Sequence, residues 1–242
     1  MPKNIKRFGG FYLNIDPPLM YRGAPMKIDQ TFIFDLDGTV VNPGTAIPRC
    51  INFALKKQGV KPVPIERLKR YIGFSLEQIF TEITKRKDKK FIKACVDCYR
   101  ERFHKEGIAE HRLYPGIVGL LEAAAKSGRL VVATIKPKVS CDMVLDHLGI
   151  KPFFTSTYGS ELNGKLGDKI ELLKHIMKKE GLKKAVIIGD RGLDIEAARK
   201  CACTSIGVSY GYGTKEELSA AGADKIAETV GELRQYLLSN PA

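Results

Sequence analysis

Residues 31–41 read TFIFDLDGTVV, an apolar, β-branched and aromatic run that contains two carboxylates and a glycine near its end. Such a run is typical of a buried strand, and here the polar residues stand at the carboxyl end of that strand. In an open parallel α/β sheet, ligands bind outside the carboxyl ends of the strands. Asp35 and Asp37, two positions apart on extended backbone, should therefore point to the same side and face the crevice where chemistry is done.

Two carboxylates placed in this way suit phosphoryl transfer. One, ionised at neutral pH because an unperturbed aspartate titrates near about 4, can attack phosphorus, and the other can protonate the leaving oxygen. Mg²⁺ suits the pair, since it is usually held by one or two carboxylates together with substrate phosphate. Gly38 allows a sharp turn, and Thr39 adds a hydroxyl and a backbone donor for phosphate oxygens. The alternative is an ordinary turn after a strand, because Asp and Gly are common turn residues.

The sequence DLDGT at residues 35–39 resembles the first motif of the haloacid dehalogenase superfamily, and the chain from about Gln30 onward resembles its phosphoglycolate phosphatase-like branch. The resemblance implies the α/β fold class, with a Rossmann-like parallel sheet core and an inserted α-helical cap domain. It also implies a Mg²⁺-dependent phosphomonoester hydrolase that acts through an aspartyl-phosphate intermediate on a small phosphorylated metabolite. In that mechanism Asp35 attacks phosphorus, and Asp37 first protonates the leaving alkoxide and then activates water.

Two later segments supply polar groups expected beside these aspartates. An apolar strand at residues 130–134 ends in Thr134, and Lys169 stands at a predicted helix start, where the helix dipole disfavours positive charge. By resemblance, Thr134 would donate a hydrogen bond to a phosphoryl oxygen, and Lys169 would neutralise Asp35 and the transferring group. Lys136 is the rival candidate for that charge. A structural threonine and a surface lysine are the ordinary interpretations of these positions.

A further apolar run ends in a glycine and Asp190, and Asp194 follows four positions later. This pattern resembles the family's fourth motif. It implies that Mg²⁺ is held by the carboxylates of Asp35 and Asp190 and the backbone carbonyl of Asp37, with Asp194 in support directly or through water. The alternative for Asp194 is a role as N-cap of the helix that follows it.

Segments of different composition divide the chain. Residues 44–112 contain four helical patterns and no strand pattern, so we expect a cap between the first and second strands of the core. Gly73 and Phe74 lie in a break between two of these helices and are the predicted contact with the substrate's leaving group. Residues 1–25 contain several Gly and Pro residues without a clear period and are expected to form a poorly ordered extension. The predicted core then comprises residues 26–43 and 113–242.

The net charge of +13 is concentrated in the predicted cap, which holds 17 Lys and Arg against 8 Asp and Glu. A basic stripe can bind nucleic acid, but this segment lacks interleaved aromatics and a recognisable binding motif. We therefore favour a solvated face that raises the local concentration of anionic substrate. No apolar run is long enough for a membrane span, and the N-terminal residues do not resemble a secretory signal. The six cysteines are expected to be free thiols, which predicts a cytoplasmic protein, with a monomer or a homodimer both compatible.

The same motifs leave several activities open. A sugar phosphomutase shares them, and 5'-nucleotidase and phosphotyrosine phosphatase activities are compatible with the residues. A dehalogenase is disfavoured, because displacement of halide needs no acid at Asp37. A nucleic-acid-binding module acting through the basic cap is the non-enzymatic alternative, which the retained acidic positions disfavour. Two positions depart from the family pattern: Asn42, where Asp is frequent, and Ile135, where Ser or Asn is usual.

Overall fold

The computed structural model describes residues 30–239, and the extension predicted for residues 1–25 lies outside them. The main element is a sheet of six strands, in which all neighbours are parallel. From one edge to the other the strands are β5 (Ser156–Ser160), β4 (Arg129–Pro137), β1 (Thr31–Phe34), β6 (Val186–Gly189), β7 (Thr204–Val208) and β8 (Lys225–Ala227).

Strand β1 lies between β4 and β6 and is buried on both faces. Phe32 and Phe34 pack into the apolar cluster on one side of the sheet, and Ile33 packs into the cluster on the other side. This two-sided burial explains why the run is uniformly apolar rather than alternating. Because the chain leaves β1 toward one edge of the sheet and later returns to its other side, the carboxyl end of β1 is a topological switch point, where such sheets bind ligands.

Four α-helices lie within residues 44–112, the segment in which the sequence predicts a helical cap. They are α1 (Ala46–Lys57), α2 (Ile65–Lys69), α3 (Leu76–Thr84) and α4 (Lys89–Arg102). Helix α3 begins with a capping box between Ser75 and Gln78, and Asp88 caps α4. A short antiparallel pair, β2 (Val41–Asn42) with β3 (Arg112–Leu113), brings the two ends of the helical segment together. The domain boundaries at residues 44 and 112 stay a prediction.

The remaining helices cover both faces of the sheet. They are α5 (Ile117–Ser127), α6 (Lys138–His147), α7 (Lys169–Lys179), α8 (Gly192–Lys200), α9 (Lys215–Ala220) and α10 (Val230–Leu238). Helices α5, α6 and α10 contribute to the apolar cluster that contains Phe32, and α7 and α8 contribute to the one that contains Ile33. Within residues 30–239, no helix is both long enough and apolar enough to cross a membrane.

Two predicted boundaries shift by a few residues. The basic pattern from Asp88 predicts a helix to about Lys105, but the α-helix ends at Arg102 and the chain continues as a wider π turn. The sequence also predicts a strand over residues 153–158, but that strand begins at Ser156, because one turn of 3-10 helix with Pro152 near its start precedes it. Proline is well tolerated in a first helical turn, since the N–H that it lacks would have no partner there.

Strand β4 continues beyond Thr134, where the sequence predicts its end. It runs to Pro137 with a shift in its pairing to β5 between these two residues. The two backbones approach closely at this point, since a Cβ on Gly159 would lie 2.5 Å from the carbonyl oxygen of Lys136. The irregular strand end carries Lys136 to the same edge of the sheet as Thr134.

Candidate active site

Polar residues stand at the carboxyl ends of three adjacent strands. Asp35 directly follows β1, Thr134 lies near the end of β4, and Asp190 directly follows β6. The three side chains are buried, as is that of Asp37. Because the strands are parallel neighbours, these residues meet at one edge of the sheet.

Asp35, Asp190 and Asp194, called here the acidic cluster, lie close enough for one cation to contact all of them. Each offers a carboxylate oxygen, and these oxygens lie within 4.8 Å of one another. Nζ of Lys169 lies 2.5 Å from Oδ1 of Asp35 and 2.7 Å from Oδ1 of Asp194. It also donates to the carbonyl oxygen of Ala133 at 2.7 Å. The two carboxylates explain why a lysine is accommodated at the start of α7, against the helix dipole.

Burial is the largest influence on the protonation of the acidic cluster. It raises the pKa of Asp35 to about 7, against the opposing effect of Lys169. Burial and the charges of Asp35 and Asp194 raise the pKa of Asp190 well above its usual range. At Lys169 the carboxylates outweigh burial and raise the pKa of the ammonium group, which stays charged. The unperturbed pKa of about 4 that the sequence alone suggests therefore does not apply to Asp35 in this environment.

The acidic cluster fits a hard divalent cation. Of its three carboxylates, those of Asp35 and Asp194 share one ammonium group, and carboxylate oxygens are the ligands that Mg²⁺ prefers. Gly38 has φ +99°, and a Cβ there would lie 2.1 Å from Oδ2 of Asp190, so only glycine allows this close approach. The backbone N–H of Tyr212 donates to the same oxygen at 2.8 Å and fixes the orientation of the carboxylate.

Asp194 is not the N-cap residue of the helix that follows it. Helix α8 begins at Gly192 with Arg191 as its N-cap, so Asp194 lies in the first turn, where its Oδ2 accepts a hydrogen bond from the backbone N–H of Arg191 at 3.1 Å. The N-cap interpretation is therefore wrong, because an N-cap at Asp194 requires a helix that starts three residues later than the observed start. The other carboxylate oxygen, Oδ1, is the one that reaches Lys169.

Asp37 has a different environment, in which its partners are nitrogen atoms. Nζ of Lys136 lies 2.7 Å from Oδ2 and 2.9 Å from Oδ1. Nε2 of the buried His111 lies 3.3 Å from Nζ of Lys136 and 3.7 Å from Oδ1 of Asp37. Burial raises the pKa of Asp37, but it is outweighed, most strongly by the charge of Lys136, and the pKa is lowered to about 2. Asp37 is therefore a carboxylate at neutral pH in the free protein.

His111 completes this second group as a neutral side chain. Its Nδ1 lies 2.7 Å from the carbonyl oxygen of Gly107, which can only accept, so Nδ1 carries the proton and Nε2 can accept from Lys136. Burial and the charge of Lys136 lower the pKa of His111. Nothing in the sequence singles out this histidine, because its contacts depend on how the cap returns to the core.

The two lysines that the sequence leaves as rivals belong to different aspartates. Lys169 pairs with Asp35, and Lys136 pairs with Asp37. Lys136 also lies over the ring of Phe103, 4.9 Å from its centroid, at the boundary between cap and core. The positive charge is thus divided between the two aspartates of the first motif.

Gly38 and Thr39, predicted to bind substrate, lie in the turn beneath the acidic cluster. The backbone N–H of Gly38 donates to the carbonyl oxygen of Val41, and that of Thr39 donates to Leu36. The buried hydroxyl of Thr39 lies 3.4 Å from Oδ1 of Asp190. These groups satisfy the turn and the cluster, and their contact with substrate stays a prediction.

A cavity of about 330 Å³ lies between the cap and the core. Six of the predicted site residues line it: Asp35, Asp37, Thr134, Lys136, Gly73 and Phe74. The cap contributes an apolar wall around Phe74 and Phe103, and the core contributes the polar end with the two aspartates. The cavity therefore joins the predicted leaving-group loop to the predicted nucleophile.

Arg191 fixes the predicted leaving-group loop to the core. Its Nη1 donates to the carbonyl oxygens of Arg70 at 3.1 Å and Ile72 at 2.8 Å, and its guanidinium lies over the ring of Phe74, 4.8 Å from the centroid. Glu217 holds the other side of the guanidinium through a 3.0 Å ion pair. Sequence reasoning missed this contact, although an arginine directly after the fourth-motif aspartate was visible.

Comparison with known proteins identifies the family. Residues 32–208 match the family model described as haloacid dehalogenase-like hydrolase. The chain belongs to the haloacid dehalogenase-like hydrolases. This membership confirms the family predicted from the motifs, and with it an enzyme with hydrolase chemistry on an α/β core.

Three similar proteins place this hydrolase within the family. A protein of Pseudomonas aeruginosa named 5'-nucleotidase is 38% identical over 86% of this chain and 95% of its own length. A phosphoglycolate phosphatase of Agrobacterium fabrum is 31% identical over 74% of this chain and 80% of its own length. The crystal structure of a predicted phosphatase from Clostridium acetobutylicum superposes with a TM-score of 0.83 at 34% identity, covering 87% of this chain and 99% of that one. The last similarity confirms the predicted fold class.

Proposed function

We propose that this haloacid dehalogenase-like hydrolase is a Mg²⁺-dependent phosphatase that hydrolyses a small phosphomonoester through an aspartyl phosphate on Asp35. The observation that carries the proposal is the division of charge at the polar end of the cavity. The acidic cluster brings three carboxylates together, two of which contact Lys169, and Asp37 stands apart with its own lysine. The first group suits a cation and the second suits the oxygens of a phosphate.

The residues of the chain divide the chemical work as follows. A carboxylate oxygen of Asp35 attacks phosphorus while Lys169 and the Thr134 hydroxyl stabilise the phosphoryl oxygens. A phosphate dianion near Lys136 competes with Asp37 for its ammonium group, which raises the pKa of Asp37 and lets it hold the proton for the leaving oxygen. The same carboxylate then takes a proton from the water that hydrolyses the aspartyl phosphate.

The cation would be held by the acidic cluster together with the backbone carbonyl of Asp37. When bound, Mg²⁺ supplies positive charge that lowers the pKa of Asp35 and neutralises phosphoryl oxygens. Arg191 keeps Phe74 at the cavity, so the cap can exclude water during attack by Asp35.

The names of the relatives suggest two candidate substrates, a 5'-nucleotide and phosphoglycolate. A sugar phosphomutase remains the alternative that shares the motifs. The six cysteines are free thiols, which supports the cytoplasmic location that we propose, and a single-chain or homodimeric enzyme is compatible with the site.

The test is phosphate release from a panel of phosphomonoesters, with and without Mg²⁺, for the wild type and Asp35→Asn. We expect turnover that requires Mg²⁺ and falls below detection in the variant, because the amide cannot form an acyl phosphate. If a folded wild-type protein that binds Mg²⁺ releases no phosphate from any ester, the phosphatase proposal is wrong. Conversion of a sugar phosphate to its isomer without phosphate release would favour the mutase.

A further inference from the structure

One cation in the wall of the cavity has no counterion. Arg100 lies on α4 and lines the cavity from the cap side. Its Nε is buried and has no hydrogen-bond partner in the described part of the chain. Its Nη2 makes one long contact, 3.4 Å, with the carbonyl oxygen of Leu162 on the core. Among residues 30–239, no carboxylate lies within ion-pair distance of the Arg100 guanidinium.

The other arginine with a buried, unpartnered Nε shows what is missing. The Nε of Arg129 also lacks a hydrogen-bond partner, but its Nη2 forms an ion pair with Glu180 at 2.9 Å, so the charge of this arginine is balanced. Arg100 lacks this balance. A buried donor without a partner costs free energy, and a guanidinium forms its strongest hydrogen bonds with carboxylate or phosphate oxygens.

The surroundings of Arg100 favour a ligand rather than a missing structural partner. Much of the cap wall of the cavity is aromatic or aliphatic, with Phe74, Leu76 and Phe103 among its members, and its polar members besides Arg100 include Ser75, Glu77 and Gln78. Besides Asp35 and Asp37, which have lysine partners of their own, the carboxylates that line the cavity belong to the exposed residues Glu77, Glu161 and Asp168, and Glu161 is paired with Lys165. An oxyanion in this wall would meet one unbalanced cation on an apolar surface.

We propose that Arg100 binds an anionic group on the alcohol portion of the substrate, so that the preferred phosphomonoesters carry a carboxylate or a second phosphate besides the reacting group. The inference rests on the proposed function, because the reacting phosphate is assigned to Asp35, Thr134 and Lys136 and leaves Arg100 for the remainder of the molecule. Such a substrate would present its reacting phosphate to Asp35 and its second anionic group to Arg100, both of which line the cavity.

The test compares esters that share a skeleton and differ only in this group. The two-carbon set is 2-phosphoglycolate, 2-hydroxyethyl phosphate and ethylene glycol bisphosphate, and the three-carbon pair is 3-phosphoglycerate and glycerol 3-phosphate. We expect the wild type to prefer the anionic esters in kcat/KM. Arg100→Gln should lower kcat/KM for anionic esters by about tenfold to a hundredfold, mainly through KM, and should affect the neutral esters far less. Whichever ester has the higher kcat/KM, the one with a carboxylate or the one with a second phosphate, identifies the anionic group that Arg100 binds.

Arg67→Gln is the matched control, since Arg67 is an exposed arginine of the cap that does not line the cavity. It should leave the preference for anionic esters unchanged, and Arg100→Lys should restore part of it. The inference is overturned if the wild type shows no preference for anionic esters at either chain length. It is also overturned if Arg100→Gln lowers kcat/KM equally for neutral and anionic esters.

A binding measurement separates this inference from the proposed function. Calorimetric titration of Asp35→Asn with 2-phosphoglycolate and 2-hydroxyethyl phosphate needs no turnover. If Asp35→Asn binds the anionic ester more tightly than the neutral one, and the double variant Asp35→Asn/Arg100→Gln does not, the role of Arg100 is supported even if no ester is hydrolysed. Equal affinity for the two esters, in a protein that does release phosphate, would refute the role of Arg100 and leave the phosphatase proposal standing.

Discussion

The two aspartates of the first motif stand in opposite electrostatic surroundings. Asp35 shares Lys169 with a second carboxylate and has a third nearby, so burial and like charges raise its pKa. Asp37 has Lys136 to itself beside a neutral histidine, and its pKa is lowered to about 2. Although they are only two positions apart in the chain, Asp35 lies among carboxylates that outnumber their lysine, whereas the charge of Asp37 is balanced by Lys136. The difference shows why one edge of the sheet can attract both a cation and an anion without their sites merging.

The strongest test of this division is Lys169→Met. The variant leaves three buried carboxylates without an internal cation, so we expect the metal-free protein to lose about 3–5 kcal/mol of stability, or roughly 10 °C in Tm for a chain of this size. Turnover should fall by about a hundredfold to a thousandfold, because a preorganised charge at the phosphoryl group is lost. Thermal unfolding and phosphate release measure the two effects.

Lys178→Met is the control, because Lys178 is exposed on the same helix. It should change neither Tm nor turnover appreciably. Mg²⁺ should raise the Tm of Lys169→Met more than that of the wild type, since it then supplies the only positive charge in the acidic cluster. If Mg²⁺ raises the Tm of the two proteins equally, Lys169 and the cation do not neutralise the same carboxylates.

Lys136→Met tests the other half of the comparison and should have a smaller effect. Removal of this ammonium group should raise the pKa of Asp37 and weaken substrate binding, with kcat/KM falling by about tenfold to a hundredfold. The concentration of Mg²⁺ that gives half-maximal activity should not change, because the acidic cluster is intact. Lys138→Met, two residues along at an exposed ion pair with Asp142, is the matched control. A large shift in the Mg²⁺ requirement of Lys136→Met would show that the two halves are not separate.

The sequence locates the strand ends correctly because their signals are local. The buried strand before Asp35 and the strand before Asp190 are marked by uniform hydrophobicity that stops at a carboxylate, which needs no knowledge of distant residues. The resemblance to the family then predicts that the carboxyl ends of these two strands lie side by side. At Asn42, which departs from the family pattern, Oδ1 accepts from the Gly44 N–H and from the Tyr212 hydroxyl, each at 2.8 Å, and an Asp carboxylate could accept the same hydrogen bonds.

The parts that the sequence does not predict depend on contacts between distant segments. His111 meets Lys136, and Arg191 meets the backbone of residues 70–72, only because the cap folds back on the core. Whether a lysine contacts Asp35 or Asp37 is likewise decided by where β4 ends and where α7 begins, not by residue type. The protonation of Asp35 depends on burial and on Asp194, so an unperturbed pKa gives the wrong expectation for it.

The effect most specific to the comparison is the pH dependence of stability without metal. The raised pKa of Asp35, about 7 against an ordinary value near 4, means that the folded state holds a proton that the unfolded state has released. Stability should therefore fall as pH rises from about 4 to about 7, by at most about 4 kcal/mol from this group. Asp37 acts in the opposite direction, but only below about pH 4, where its stabilising contribution is lost as pH falls toward its own pKa of about 2.

Thermal unfolding between pH 4.5 and 8 in a chelator isolates the first effect. Wild-type Tm should decline across this range, and Asp35→Asn should decline less, because the amide does not titrate and no longer raises the pKa of Asp190. Saturating Mg²⁺ should raise Tm more at pH 8 than at pH 5, since binding a cation to the acidic cluster releases the protons that burial retains. Equal stabilisation at both pH values would mean that the carboxylates of the cluster are already ionised at pH 5, and that the contrast between Asp35 and Asp37 is one of position rather than of protonation.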